Sequence, residues 1–250
     1  MNNEQNIYLS IIIPAYNEQN RIERTLRRLD EYLRAQSYSY EILVVVDRAT
    51  DKTADIVRGL ENSISHMRLL WRDVNFGKGG SVVRGMAEAK GEVCLFSDAD
   101  NSTDISHFEK MKPLFDQGYE VVITSRHPWD AEGASQAISQ PWYKRIMGMA
   151  GNLFIQIMAV RGIWDTQNGF KAFRASAAKR IFPQLTIYGW GFDIELLALA
   201  QAMRLRLGIV SAHWMNDEES HVKIWNYFGV LWETVQVRWN LMRGKYNFRS

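Results

Sequence analysis

Asp98 and Asp100 stand one residue apart in Phe96-Ser97-Asp98-Ala99-Asp100, directly after the apolar run Val93-Cys94-Leu95-Phe96. Two carboxylates at the mouth of a buried strand repel each other and gain little from packing. A divalent cation, Mg or Mn, shared between protein oxygens and a phosphate would resolve that conflict, because hard oxygen ligands suit both. A solvated turn in which one aspartate caps a helix explains the same pair without chemistry. A second candidate is Asn75-Phe76-Gly77-Lys78-Gly79-Gly80. Here glycines let backbone N–H groups approach an anion, Lys78 adds charge and the following helix adds its N-terminal dipole. The stretch matches neither the Walker pattern nor the dinucleotide pattern, since Val82 takes the third glycine's place, and a plain turn accounts for it as well. Arg126 ends a strand, and Lys144 with Arg145 heads an apolar helix, so these cations form either a second anion site or a solvated surface. Asp193 and Glu195 open another helix, where the dipole favours acidic residues even without a chemical role.

The elements that must position these groups follow from periodicity. Residues 9–13 form a β-branched run ended by Pro14, residues 17–33 carry Ile22, Leu26, Leu29 and Leu33 at helical spacing, and residues 42–46 form a second buried strand running into Asp47. Asn20 and Glu23 are spaced like a capping box. A short helix over 53–60, a strand over 68–71, a helix over 81–90 and a strand over 92–97 continue the alternation. Strands alternating with helices specify an α/β fold with a mostly parallel sheet and right-handed crossovers, so the strands' carboxyl ends share one edge. Ligands bind at that edge in open α/β sheets, and Asp47, the glycine stretch and the Asp98/Asp100 pair all fall on it.

Beyond it the pattern gives a helix over 105–115, a strand over 120–124 and a long polar segment over 127–140, whose length marks it as functional or mobile. An apolar helix to Val160, a polar turn into a short strand near Phe170, small helices and a strand over 207–214 complete the body. One domain over 1–220 with an amphipathic helical extension over 221–250 is the expected organisation.

Thirty basic and 28 acidic residues leave a net charge of +2, with no global field of the kind that draws a protein to nucleic acid. The single cysteine, Cys94, excludes an internal disulfide, fits a reducing compartment and sits where packing, not reactivity, is expected. The polar N-terminus lacks the pattern of a signal peptide, which points to the cytoplasm and makes the sequon at Asn101-Ser102-Thr103 a chance match. No segment reaches the ~18 consecutive apolar residues of a spanning helix. Nine tryptophans are many, and the tail places Trp225, Phe228, Trp232, Val235 and Trp239 on one helical face, with Lys223, Arg238, Arg243 and Lys245 toward its ends. Core packing, a face for self-association and a helix lying on a membrane surface are all consistent with such a stripe.

Taken in order, Ile13-Pro14-Ala15-Tyr16-Asn17-Glu18, Gly77-Lys78-Gly79-Gly80, Phe96-Ser97-Asp98-Ala99-Asp100, Asp165-Thr166-Gln167-Asn168-Gly169-Phe170-Lys171 and Phe192-Asp193-Ile194-Glu195-Leu196-Leu197 resemble family 2 glycosyltransferases of GT-A fold. The narrower resemblance is to dolichyl- or polyprenyl-phosphate glucosyltransferases, with polyprenyl-phosphate mannosyltransferases as cousins. It implies an inverting hexosyltransferase moving glucose from UDP-glucose to a polyprenyl or dolichyl phosphate at the cytoplasmic face of a membrane. Transfer to a sugar hydroxyl with Asp193 or Glu195 as base, mannosyl transfer from GDP-mannose, and a catalytically silent nucleotide-sugar-binding protein are the alternatives. The resemblance also implies roles. Pro14, Ala15, Tyr16, Glu18, Asp47, Gly77, Lys78, Gly79, Asp98 and Ala99 would bind the donor, and Asp98 and Asp100 would carry Mg or Mn. Arg126, with Lys144 or Arg145, would hold the acceptor phosphate. The chain departs from the family at Val46-Asp47-Arg48-Ala49, where a second aspartate and a glycine are usual, and at Asn101-Ser102-Thr103, where the glucosyl branch has Gly-Ala-Thr.

Overall fold

A computed structural model describes residues 6–136, 142–214 and 224–248, with side chains described except at 135–136, 142–147, 214 and 224–226. The chain begins with β1 (Leu9–Ala15), α1 (Ile22–Arg34), β2 (Tyr40–Asp47), α2 (Thr53–Leu60), β3 (Met67–Arg72), α3 (Gly77–Glu88) and β4 (Val93–Ser97). It continues through α4 (Phe108–Asp116), β5 (Val121–Ser125), β6 (Ser135–Gln136), α5 (Trp142–Met158), β7 (Phe170–Arg174) and α6 (Ala175–Ile181). The last elements are α7 (Phe192–Ala202), β8 (Leu207–Ser211), β9 (His213–Trp214) and α8 (Ile224–Met242).

Seven strands form the main sheet in the order β3-β2-β1-β4-β7-β5-β8, while β6 and β9 pair separately. Strands β1 to β4 and the β5/β8 pair run parallel, as the strand-helix alternation requires. β1, β2, β4 and β5 are buried along nearly their whole length, which is why they read as continuous apolar runs instead of alternating ones. β7 is the exception, inserted antiparallel between β4 and β5. Because it runs the other way, its entry loop, residues 165–169, arrives at the same edge as the exits of β1, β2, β4 and β5.

Local details differ from the sequence reading. α1 starts at Ile22 behind Arg21, with no side-chain cap, so Asn20 and Glu23 do not form a capping box. The expected strand over 207–214 breaks at Ala212 into β8 and β9, and the long polar segment after Arg126 contributes β6. Residues 137–141 and the loop over 216–220 lie outside the described residues.

Apolar side chains from both faces of the sheet make two core layers. One gathers α1, α2 and α4 against Ile11, Ile13, Val44 and Leu95. The other joins α3, α6 and α7 to Ile12, Val45, Phe96 and Phe173, and takes in Val230, Val237 and Tyr246 from the C-terminal segment. The tail helix is thus half inside the core. Its outward side carries Phe228, Trp232 (64% exposed), Trp239 (51% exposed) and Met242. Of the stripe read from the sequence, Phe228, Trp232 and Trp239 therefore face away from the core and Val235 is half-buried, while the side chain of Trp225 lies outside the described residues. Among the described residues no helix is long and apolar enough to cross a membrane. Cys94 is buried in β4, where burial first and the nearby Glu41 charge second push its thiol up to about 12, leaving it a packing residue.

Helix α3, which carries Lys78, sits close against β1 because Gly85 has no side chain. A methyl there would collide with the side chain of Ile12. Gly85→Ala should destabilise the fold by about 1–3 kcal/mol through overpacking, read as a thermal midpoint lowered by about 2–4 °C per kcal/mol.

Candidate active site

The exits of β1, β2, β4 and β5 and the entry of β7 surround one cleft of about 660 Å³. Three non-glycine residues in the loops that leave β1, β2 and β4, namely Asn17, Arg48 and Asn101, adopt positive φ. For asparagine this conformation is cheap, and Asn17 also exchanges hydrogen bonds with Thr50 (Oδ1 from Thr50 N–H, 2.8 Å; Nδ2 to Thr50 Oγ1, 3.1 Å). Arg48, at the departure noted in the sequence, takes the left-handed turn that a glycine would make without strain.

At the centre, Lys78 Nζ lies 2.6 Å from Asp98 Oδ1. Burial alone would push this ammonium down, but Asp98 and then Asp193 lift it above the ordinary lysine value, so it stays charged. Asp98 N–H donates to the Gly169 carbonyl (3.1 Å), and a Cβ at Gly169 would collide with the Asp98 carboxylate. The β7 entry loop thus fixes the first aspartate. Asp100 Oδ1 accepts from Ser102 N–H (2.9 Å). Burial, reinforced by the charge of Asp98, pushes the Asp100 carboxyl above the usual carboxylate range.

Four further ion pairs border the cleft, the first of them Glu18 with Arg21. Asp47 is gripped by Arg72, with Nε at 2.7 Å and Nη2 on the other oxygen, and it accepts from Ser81 Oγ at 2.6 Å. Arg126 makes a two-pronged contact with Asp165 (Nε 2.8 Å, Nη2 2.7 Å), and its backbone N–H adds a third bond at 2.8 Å. Burial works against the Asp165 anion, but Arg126 outweighs it and holds the carboxyl below its ordinary value. Lys171, wholly buried, reaches Asp193 Oδ1 at 2.6 Å and the Asn168 carbonyl at 2.5 Å. Burial raises Asp193 and lowers Lys171.

Residues 10–182 match the family described as Glycosyl transferase family 2. The chain belongs to this family. It is 33% identical to the dolichyl-phosphate beta-glucosyltransferase of Dictyostelium discoideum, over 98% of this chain and 78% of that protein. The human dolichyl-phosphate beta-glucosyltransferase is 28% identical over 97% of this chain and 78% of its own. Among solved structures, glucosyl-3-phosphoglycerate synthase from Mycobacterium tuberculosis, in complex with Mn2+, UDP and glucosyl-3-phosphoglycerate, superimposes with a TM-score of 0.65. At 17% identity, covering 95% of this chain and 80% of that one, it shows a shared fold of GT-A type.

Within this glycosyltransferase the cleft brings together Pro14, Ala15, Tyr16, Glu18, Asp47, Gly77, Lys78, Asp98, Ala99, Asp100, Arg126 and Asp193. Gly79 is not among them. Its N–H donates to the Tyr188 carbonyl (3.0 Å), and Gly77 N–H is taken by Asn75 Oδ1 (2.7 Å). The stretch read as an anion cradle is the first turn of α3, and its glycines serve close packing: a Cβ on Gly79 would meet Phe192 Cβ at 2.7 Å. Lys78 alone of that stretch brings charge to the cleft. Glu195, expected as a base or acceptor contact, is 0% exposed. It accepts from Thr186 N–H (2.8 Å), Ile187 N–H (2.8 Å), Thr186 Oγ1 (2.6 Å) and the Tyr246 hydroxyl (2.6 Å), so it is a structural anchor. Lys144 and Arg145 fall in the opening turns of α5, where side chains lie outside the described residues.

Sequence reasoning assigned no role to Arg72, Ser81, Asp165, Gln167, Lys171 or Trp190. The signal for Lys171 was a charged residue inside an apolar strand segment, which demands a buried counter-charge. Asp165 carried no such sign, because its partner Arg126 lies 39 positions away.

Among the described residues no three carboxylate, histidine or cysteine side chains gather to hold a metal by themselves. Asp98 and Asp100 nevertheless fit a hard cation that takes its remaining oxygens from a diphosphate, since burial and the Asp98 charge raise the Asp100 carboxyl despite Ser102 and Arg21, and such an ion would neutralise that repulsion. Without the cation, an Asp100 carboxyl held above its unfolded value favours folding at low pH and costs stability as pH rises through that raised value. Asp100→Asn should therefore raise the thermal midpoint of the cation-free protein, more at pH 7 than at pH 4, and abolish the added stabilisation that Mg or Mn with a nucleoside diphosphate gives the unaltered chain.

Proposed function

We propose that the protein transfers glucose, with inversion, from UDP-glucose to a polyprenyl or dolichyl phosphate, giving a lipid-phosphate-linked sugar. The observation that carries this reading is the pairing of two charge centres in one cleft. Asp98, Asp100 and Lys78 form one, and the Asp165-anchored Arg126 forms the other. The relatives named dolichyl-phosphate beta-glucosyltransferase support the acceptor class, and the solved neighbours holding UDP with Mn2+ or Mg2+ support the donor nucleotide and the ion.

The chemistry suits what the side chains can do. A bound Mg or Mn ion supplies charge neutralisation on the leaving diphosphate. Asp98 and Asp100 would hold it, and Lys78, 2.6 Å from Asp98, would add positive charge beside the same group. Arg126, its guanidinium plane fixed by Asp165, would orient the acceptor phosphate for attack on the anomeric carbon. A phosphate is already an anion at neutral pH, so the site needs no general base for it. A sugar hydroxyl would need one, and the candidates are otherwise engaged: Asp193 with Lys171, Glu195 in the core. The geometry therefore favours the phosphate acceptor over the hydroxyl one.

The test is purified protein with Mg or Mn, labelled UDP-glucose and a short polyprenyl phosphate, with the lipid product analysed. Glucosyl-phospholipid and UDP are expected. Arg126→Ala should cut turnover by about 100-fold or more, in the range of losing one oriented charge-stabilising contact. Release of pyrophosphate, or retained transfer to a sugar hydroxyl by Arg126→Ala, would point to a different reaction.

The outward faces of α8 and its neighbour α5, with Phe228, Trp232, Trp239 and Met242 beside Met149, Leu153 and Ile157, would rest on the lipid surface where the acceptor resides. Arg243 stacks over the Trp239 ring at 4.2 Å, placing a cation beside the aromatic as a headgroup layer favours. Trp232→Ala combined with Trp239→Ala should reduce co-sedimentation with anionic vesicles several-fold and leave turnover of a short, detergent-soluble acceptor within about twofold. A face used for self-association instead would lower the sedimentation mass of the variant and leave vesicle binding unchanged.

A further inference from the structure

The segment Tyr188-Gly189-Trp190-Gly191 places Gly189 and Trp190 on the rim of the cleft, and four contacts from three elements fix it. The Tyr188 carbonyl accepts from Gly79 N–H on α3 (3.0 Å). The Trp190 carbonyl accepts from Gln167 Nε2 on the β7 entry loop (3.2 Å). Gly191 N–H donates to Glu233 Oε2 on α8 (2.7 Å). The Trp190 ring lies 5.9 Å from Lys78 Nζ, the ammonium that holds Asp98.

The glycines on either side of Trp190 are explained by Glu233. A Cβ on Gly189 would collide with Glu233 Oε1, and one on Gly191 would come within 2.7 Å of Glu233 Oε2. Two missing side chains thus let a carboxylate of α8 reach beneath the rim. The rim then presents a tryptophan that borders the cleft and is 41% exposed, so its indole is open to a ligand.

We infer that Trp190 is the platform for the sugar of the donor, and that Glu233 is the positioning residue that holds it there. The inference rests on the donor being a sugar nucleotide, as proposed above. A hexose ring presents an apolar C–H face that suits an indole, and a stacked ring restricts how the sugar can turn about its anomeric bond. With the base and ribose set against Tyr16 and Asp47, which the family resemblance gives to the donor, the rim would touch the sugar and not the uridine. Glu233 meets no ligand itself. It acts through Gly191.

The consequence is a selective loss. Isothermal titration with UDP-glucose and with UDP, each in the presence of Mn, separates contacts to the sugar from contacts to the nucleotide. Trp190→Ala should weaken UDP-glucose about five- to tenfold and leave UDP within about twofold. Glu233→Ala should reproduce that selective loss, and Glu233→Gln, which keeps an acceptor oxygen, should restore the ratio to within about twofold of the unaltered protein. Should Glu233→Ala fail to fold, judged by its thermal midpoint, Gln167→Ala decides instead, because it removes the other side-chain tether on the rim from a partly exposed position. An equal loss of UDP and UDP-glucose in these variants, or an unchanged ratio, would overturn the inference while leaving the donor reading intact. Absence of binding of either compound by the unaltered protein would overturn the donor reading and the inference with it.

Discussion

Charge balance at the edge of the sheet is the constraint on which the rest of the structure depends. Six carboxylates crowd the cleft or its wall, and five have a cation of their own: Glu18 with Arg21, Asp47 with Arg72, Asp98 with Lys78, Asp165 with Arg126, and Asp193 with Lys171. Removing one member of such a pair leaves an uncompensated buried charge, which costs far more than the pair contributes. The last four pairs therefore lock together elements far apart in the chain: β2 to β3, α3 to the β4 exit, the β5 exit to the β7 entry, and β7 to α7. Asp100 is the sixth, with no ion pair among the described residues and a carboxyl raised by burial and by its like-charged neighbour. In the proposed reaction, a cation delivered with a diphosphate would complete this set.

That logic explains why the sheet contains one reversed strand. Were β7 parallel, its entry loop would emerge at the far edge, away from the cleft. Antiparallel insertion brings Asp165, Asn168 and Gly169 to the edge where Asp98 and Arg126 already lie, and sends Lys171 into the interior to meet Asp193. The motif spanning 165–171 is thus a frame that fixes one aspartate, one arginine and one helix, and its residues gain their meaning from partners that local sequence does not announce.

What was legible in the sequence follows the same division. Strands buried on both faces declare themselves as unbroken apolar runs, so β1, β2, β4 and β5 and the shared edge at their ends could be read directly. Asp98 and Asp100 could be read too, because like charges beside a core strand need a reason. The position of β7 was not legible, since strand order is set by long-range pairing. Nor was the use of Gly77 and Gly79, where backbone donors that looked available are consumed by Asn75 and Tyr188. Glu195 misled for a related reason: an acidic residue in a first helical turn looks the same whether it faces a cleft or, as here, ties Thr186, Ile187 and Tyr246 into the core. The aromatic stripe of the tail was visible, but which way it pointed depended on α5 and α7 covering the opposite side of α8.

That two-sided character of α8 joins the lipid question to the cleft. Val230 and Val237 sit in the core, Trp232 and Trp239 face outward, and Glu233 reaches the glycines flanking Trp190. A helix cannot shift its outer face without moving its inner one, because the two are rigidly spaced by the same backbone. Adsorption of the tryptophans to a surface would therefore be felt at Gly191 through a single rigid element. Such an arrangement suits the proposed reaction, whose one substrate is soluble and whose other is confined to a bilayer: the aromatic face that would meet the acceptor's environment and the carboxylate that would steady the donor's rim belong to consecutive residues, Trp232 and Glu233.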